Sequence, residues 1–291
     1  MNEKIYQPYY RDFLLGIGAN SYAASSGTTG ADFLNIGVGE KAVAMGEAFS
    51  AIADDSTAPY WNPAGLVQLE KKEFLASYNL WLQGIGQGYL SLVLPSVANT
   101  ISLGMNYLGT SMEIRDEECE VRGRFTASNF YLFAAYAKKI SEKLSLGLTA
   151  GYLQETIGEY RQSAFLSNLG LLYFLNKRFS LAVVAQNLGT QIGAAPLPST
   201  LRAGISFREG DLVLATDIVK PIYSDLYLCF GGEWKVSEWL SFRLGYKSGQ
   251  DIGPGLSTGI GFETQSYQVN YAYVPYGDLG GSHRISLGIR F

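Results

Sequence analysis

Residues Gly30–Leu66 read GADFLNIGVGEKAVAMGEAFSAIADDSTAPYWNPAGL, and the reading of this stretch decides the fold. It is too apolar for a linker and too rich in glycine for an ordinary helix. Ala42, Met45, Phe49 and Ile52 recur at helical spacing, which predicts a short helix from about Glu40 to Ala53. Gly46 inside it leaves room for a neighbouring backbone. Asp54, Asp55 and Ser56 are residue types that cap a following turn. Pro59 and Pro63 forbid a long helix beyond, and Asn62-Pro63 initiates a turn. One helix plus tight turns, ending at Leu66, makes a compact plug that needs a container.

The container follows. From Phe74 onward the period changes to two. Leu144, Leu146, Leu148, Ala150 and Tyr152 alternate with Ser145, Gly147, Thr149 and Gly151; Leu201, Ala203, Ile205 and Phe207 alternate with Arg202, Gly204, Ser206 and Arg208. The same holds around Ile101, Leu240 and Ile285. One face is bulky and apolar, the other Gly, Ser, Thr and charge. A soluble sandwich buries its bulk and coats itself in charge. Gly and Ser coat a soluble surface poorly, so the pattern places bulk toward lipid and small polar groups toward a filled lumen.

Fourteen strands are expected, near 74–81, 87–94, 99–109, 127–137, 143–153, 164–174, 178–187, 199–208, 211–219, 225–235, 239–247, 256–263, 267–274 and 283–291. Gaps after even strands are tight; those after odd strands are mostly longer, 110–126 the longest. Short turns on one side and longer loops on the other mark outer-membrane barrels. The expectation is an all-β fold: a closed 14-stranded antiparallel transmembrane β-barrel with an N-terminal hatch plugging the lumen. Residues 74–291 form the barrel, 30–73 the hatch, and 1–29 a weak export signal cleaved near Ala23 or Ala24, or a periplasmic tail. Closure pairs every backbone group, as lipid requires. The final Phe291 after alternating apolar residues resembles the C-terminal signal read by barrel-insertion machinery.

Composition agrees. Of 291 residues 16% are charged, with 34 Gly, 20 Tyr and 15 Phe, which suits a lipid-facing barrel with aromatic girdles better than a soluble α/β enzyme. A net charge of −4 gives no footprint for nucleic acid. Cys119 and Cys229 offer neither metal-ligand spacing nor a disulfide framework. His283, the sole histidine, has no identifiable catalytic partner and reads as a solvated loop residue. No cofactor or metal motif is present, and enzymatic chemistry is poorly supported.

The stretch from Phe33 to Leu66 resembles the hatch of the PorV/PorQ-type outer-membrane proteins, relatives of the FadL long-chain fatty acid transporters. The matching pieces are Ile36-Gly37-Val38-Gly39, Met45-Gly46 with Ala48-Phe49, Ala53-Asp54-Asp55, and Tyr60-Trp61-Asn62-Pro63-Ala64-Gly65-Leu66. The resemblance is sharp over this stretch and extends to the rest as architecture. It implies a bacterial outer-membrane location and a fourteen-stranded barrel, and puts the motif around Asn62, Pro63 and Ala64 near a lipid route.

Parity turns Arg202, Arg208, Arg243 and Arg290 inward with Asp217, Glu233 and Glu263. Asp54 and Asp55 are natural mates for the arginines, either holding the plug or forming a displaceable latch. Two functions compete. A passive conduit for small hydrophobic molecules expects a ligand near Phe33, Phe49 and Trp61 and a strand kink opening the wall. A non-transporting adaptor of type IX-like protein secretion expects a partner at loop 110–126, its acidic run from Glu113 to Glu120 engaging a basic protein. A purely structural role is third.

Overall fold

The computed structural model describes residues 29–115 and 119–291. The export-signal expectation lies outside them. Fourteen strands form one closed antiparallel barrel in which each pairs with its sequence neighbours and β1 closes on β14. They are β1 Glu73–Leu80, β2 Gly86–Pro95, β3 Asn99–Arg115, β4 Val121–Lys139, β5 Leu144–Ile157, β6 Tyr160–Phe174, β7 Phe179–Gly189, β8 Thr200–Glu209, β9 Leu212–Pro221, β10 Tyr227–Ser237, β11 Leu240–Lys247, β12 Leu256–Glu263, β13 Tyr267–Pro275 and β14 Gly281–Arg290. The closing register sets Glu73 opposite Arg290 and Leu80 opposite His283.

The alternation reaches the surface as expected. Leu103, Leu132, Leu201, Leu244 and Ile285 lie about half exposed on the outer face, an apolar band of the kind that a transmembrane barrel turns to lipid. Trp234, Trp239, Phe262 and Tyr267 ring the end with short turns, and Tyr78, Tyr107 and Phe165 the opposite end. His283 stands on β14, not in a loop: Tyr271 Oη lies 2.7 Å from its Nδ1, and Tyr273 packs its ring. It belongs to the aromatic surface.

The 110–126 loop is corrected. β3 runs on to Arg115 and β4 starts at Val121, so most of that stretch is ladder. These residues extend the β3–β4 ladder that starts inside the barrel, so each added pair follows on one already formed. β2 accompanies β3 only as far as Gly109, and β5 accompanies β4 only from Ala127. The hairpin therefore projects past its neighbours. The acidic run falls partly outside the described residues. β5 and β6 likewise extend into 155–163, leaving a turn of Gly158 and Glu159.

The helix is also corrected. α1 spans only Glu40–Ala44. Gly46 and Glu47 take φ of 63° and 66°, which no α-helix continues. Gly46 is held there because a Cβ would overlap the Tyr246 backbone nitrogen, and its counterpart Gly245 on β11 faces the Gly46 nitrogen. Contact with the wall stops the helix one turn in. A second short helix, α2 Ala58–Trp61, and a 3-10 turn over Pro63–Gln68 complete the segment.

Candidate functional site

The segment from Thr29 to Lys72 is gripped from strands all around the barrel. Gln87 Nε2 donates to the Ile36 carbonyl at 3.2 Å, Thr149 Oγ1 to that of Pro59 at 2.8 Å, and Ser180 Oγ to that of Ala51 at 2.7 Å. Gln186 Nε2 donates to the Tyr60 carbonyl at 2.7 Å and Ser257 Oγ to that of Ala44 at 3.1 Å. Arg284 donates to the carbonyl of Gly37. Gly147, Gly170, Gly204, Gly231 and Gly259 lie where a Cβ would strike Ala64, Asn62, Ser50, Met45 and Ala44. The small residues of the alternating pattern form the seat of this segment. Nothing in a strand read alone separates a seat glycine from a weak strand residue.

Asn62 sits at the centre of the last turn. Its Nδ2 donates to the carbonyls of Ser50 at 2.8 Å and Leu171 at 3.2 Å, and its Oδ1 accepts from Ala64 N–H at 3.0 Å. Pro63 opens the turn. Trp61 is fully buried, with Nε1 donating to the Val38 carbonyl at 2.9 Å and the Arg202 guanidinium 5.1 Å above its ring. Phe49 meets it edge-on at 6.4 Å. Phe33 packs in a separate cluster with Leu34, Tyr89, Phe133 and Leu153. Phe33, Phe49 and Trp61, expected to share a ligand site, fall in two clusters, Phe49 with Trp61 in one and Phe33 in the other, and none of them lines the cavity described below.

The charges divide into linked groups. Asp217 is fully buried; it pairs with Arg202 at 3.1 Å and accepts from the N–H groups of Phe49 at 3.3 Å and Ser50 at 3.1 Å, and from Ser50 Oγ at 2.8 Å. Arg202 also donates to the Glu47 carbonyl at 2.6 Å. Nearer the short turns, Lys41 meets Asp54 at 2.8 Å and Glu233 at 3.6 Å, Glu233 meets Arg243 at 2.6 Å, and Asp54 meets Arg208 at 3.0 Å. Arg290 joins Glu73 at 2.7 Å and also pairs with Glu263. Parity placed all seven strand charges in the lumen, although Arg208 stays half exposed at the mouth. Parity left Lys41, Glu73 and the Lys247–Glu47 pair at 2.7 Å unremarked.

Asp55 is corrected: it meets no arginine. Its Oδ1 accepts from Thr57 N–H at 2.8 Å and caps the following turn. The two neighbouring carboxylates differ sharply. Burial pushes Asp55 up to about 6, aided by the charge of Asp54. Burial also opposes the charge of Asp54, but Lys41 and Arg208 outweigh it and hold its pKa well below the ordinary value. Burial opposes the Lys41 charge in turn; Asp54 and Glu233 outweigh it and raise its pKa.

The wall beside this segment shows no gap. Every neighbouring pair of strands is hydrogen-bonded, with register shifts at Ile114/Arg115, Ser167/Leu169 and Lys235/Ser237. At the Ser167/Leu169 shift Asn187 takes a φ of 57°, its N–H bonded to Asn168 Oδ1 at 2.8 Å. The expected kink opening the wall is thus replaced by a satisfied bulge. Space lies instead along the axis: a cavity of about 720 Å³ stands above the segment at the long-loop end. Ile36, Gly37, Val43 and Glu47 form its floor, and loops 81–85, 190–199, 222–226 and 248–255 its rim. Among the described residues no His, Cys, Asp or Glu group is placed to hold a metal, and no helix is long and apolar enough to cross a membrane.

No family model and no curated protein matches the chain. Solved structures do. The Ralstonia pickettii toluene transporter TbuX superimposes with a TM-score of 0.64 at 14% identity, over 88% of this chain and 98% of that one. The Pseudomonas putida toluene transporter TodX gives 0.62 at 13%, over 87% and 96%. A Pseudomonas aeruginosa FadL homologue gives 0.59 at 11%, over 87% and 98%. At such identities the likeness concerns architecture alone: the chain has a FadL-like, closed fourteen-stranded antiparallel barrel.

Proposed function

We propose that this chain is a bacterial outer-membrane conduit for small hydrophobic molecules, in which residues 30–73 act as a hatch. The observation that carries the reading is the cavity seated on a segment that the strands encircle. A ligand-sized space that leads onto a held plug is the arrangement of a gated pore. The similar barrels TbuX and TodX are toluene transporters, which favours a small, apolar cargo. The apolar outer band fits an outer-membrane site. The unbroken wall favours a route along the axis, with the hatch shifting against the Asp54–Arg208 and Lys41–Glu233 contacts as a latch.

The test is uptake by whole cells whose lipopolysaccharide leaflet slows hydrophobic entry. Cells that express the chain should admit the fluorescent probe N-phenylnaphthylamine faster than controls. Ser50→Cys with Gly204→Cys, which would tie the hatch to β8, should abolish the gain under oxidation, and reduction should restore it. Equal uptake with and without the chain would reject the reading.

A second reading draws on the projecting hairpin. From Thr110 to Arg115 and Val121 to Phe125 no third strand joins the β3–β4 ladder among the described residues. Such an edge accepts a partner strand. It favours a PorV/PorQ-like adaptor, tested by co-purification of a secretion component from native membranes and its loss on shortening the hairpin.

A further inference from the structure

The cavity above the hatch has a chemistry of its own. Trp81, Tyr223, Tyr227 and Tyr276 supply aromatic surface to its wall. Among the described residues its charged lining is unbalanced: four carboxylates, Asp32, Glu47, Asp225 and Asp251, face two cations, Lys247 and Arg284. Both cations are already engaged by the protein. Lys247 pairs with Glu47 at 2.7 Å and stands 5.3 Å over the Tyr227 ring. Arg284 donates to the Gly37 carbonyl, and through Nε to Ser282 Oγ at 3.2 Å. Asp225 and Asp251 are exposed at the rim.

We infer that the cavity selects by charge, taking uncharged or cationic aromatic molecules and rejecting carboxylates. This rests on the reading of the cavity as the capture site of a conduit. An entering anion meets surplus negative charge at the rim and finds each cation already neutralised or spent on a carbonyl. A ring with no charge loses nothing there, and a cation gains from both the carboxylates and the tyrosine faces. The volume admits molecules of drug size or smaller.

The experiment compares three probes of one shape, 4-phenylbutyramide, 4-phenylbutylammonium and 4-phenylbutyrate. Binding to the full chain in phosphatidylcholine nanodiscs is followed by calorimetry, with empty discs subtracted. The carboxylate should bind about tenfold more weakly than the amide at low salt, and the gap should narrow at about 0.5 M salt as screening shortens the reach of the rim charges. The triple variant Asp32→Asn, Asp225→Asn, Asp251→Asn should bring the carboxylate close to the amide and leave the amide within about twofold. If the carboxylate binds as well as the amide to the unmodified chain, selection by charge is overturned and capture stands. If no probe binds, both fall.

Discussion

The two ends of the lumen are built on opposite terms. At the short-turn end the lumen charges are linked: Lys41, Asp54, Arg208, Glu233 and Arg243 form one set, and Arg290 holds Glu73. At the long-loop end the segment stops short and leaves a cavity with charged groups around it. On the proposed function, resistance to passage would sit in the charge network and the packed rings of Phe49 and Trp61, and recognition in the loops. The two regions use different residues, so each is open to separate attack.

The largest effect is expected from Asp217. Replacing it with Ala strands Arg202 in the lumen and frees two N–H groups and a hydroxyl of the segment. Loss of one partner of a buried pair costs about 3–5 kcal/mol. Limited proteolysis should then cut within residues 30–66 while the barrel stays intact, and Asp217→Asn should recover part of the protection. Unchanged proteolysis would mean that Asp217 does not hold the segment.

Asn62→Ala comes next. It removes three hydrogen bonds, one to Leu171 on β6, one to Ser50 within the segment and one that closes the turn at Ala64, and buried groups left unmatched cost about 1–3 kcal/mol. Thermal melting should fall with no change at the cavity, so amide-probe affinity should stay near that of the unmodified chain. A drop in affinity would show that the two ends are coupled.

Arg208→Gln should barely move the melting point, since Arg208 is half exposed and its pair with Asp54 is screened, while Asp54 keeps Lys41. In planar bilayers the same change should raise the fraction of time in a conducting state. Unaltered conductance would remove Arg208 from the latch.

The smallest effect is one of pH. Asp55, raised to about 6, adds stability that is complete below its ordinary value of 3.8 and is lost as pH climbs through 6. Asp54, depressed, adds stability that is present above 3.8 and is lost only as pH falls well below it. Hydrogen exchange in residues 50–60 should thus be slower at pH 5 than at pH 7.5 after correction for intrinsic rates. Asp55→Asn should flatten that difference, and a slope that survives it belongs to other groups.

Most of the barrel was legible in the sequence because strand pairing in a meander is local and its alternation is dictated by lipid on one side. Fourteen runs of period two gave fourteen strands. The exceptions have physical causes. The stretch 110–126 looked like a loop because its charges break the apolar period, but above the membrane a strand needs no apolar face. The helix looked longer than α1 because its spacing was correct and nothing in sequence announced that Gly245 would press against Gly46.

The chain's residues, taken alone, determined the lipid-facing band, the strand count and the inward direction of Arg202, Arg243, Asp217 and Glu233, since each depends on neighbours one or two positions away. The tertiary structure decided which acid met which base, that Asp55 would cap a turn instead of meeting an arginine, and that the cavity above the segment would be lined by none of Phe33, Phe49 and Trp61. Those outcomes depend on strand stagger and on contacts between residues more than a hundred positions apart, such as Ser50 with Asp217, and no local pattern encodes such a distance.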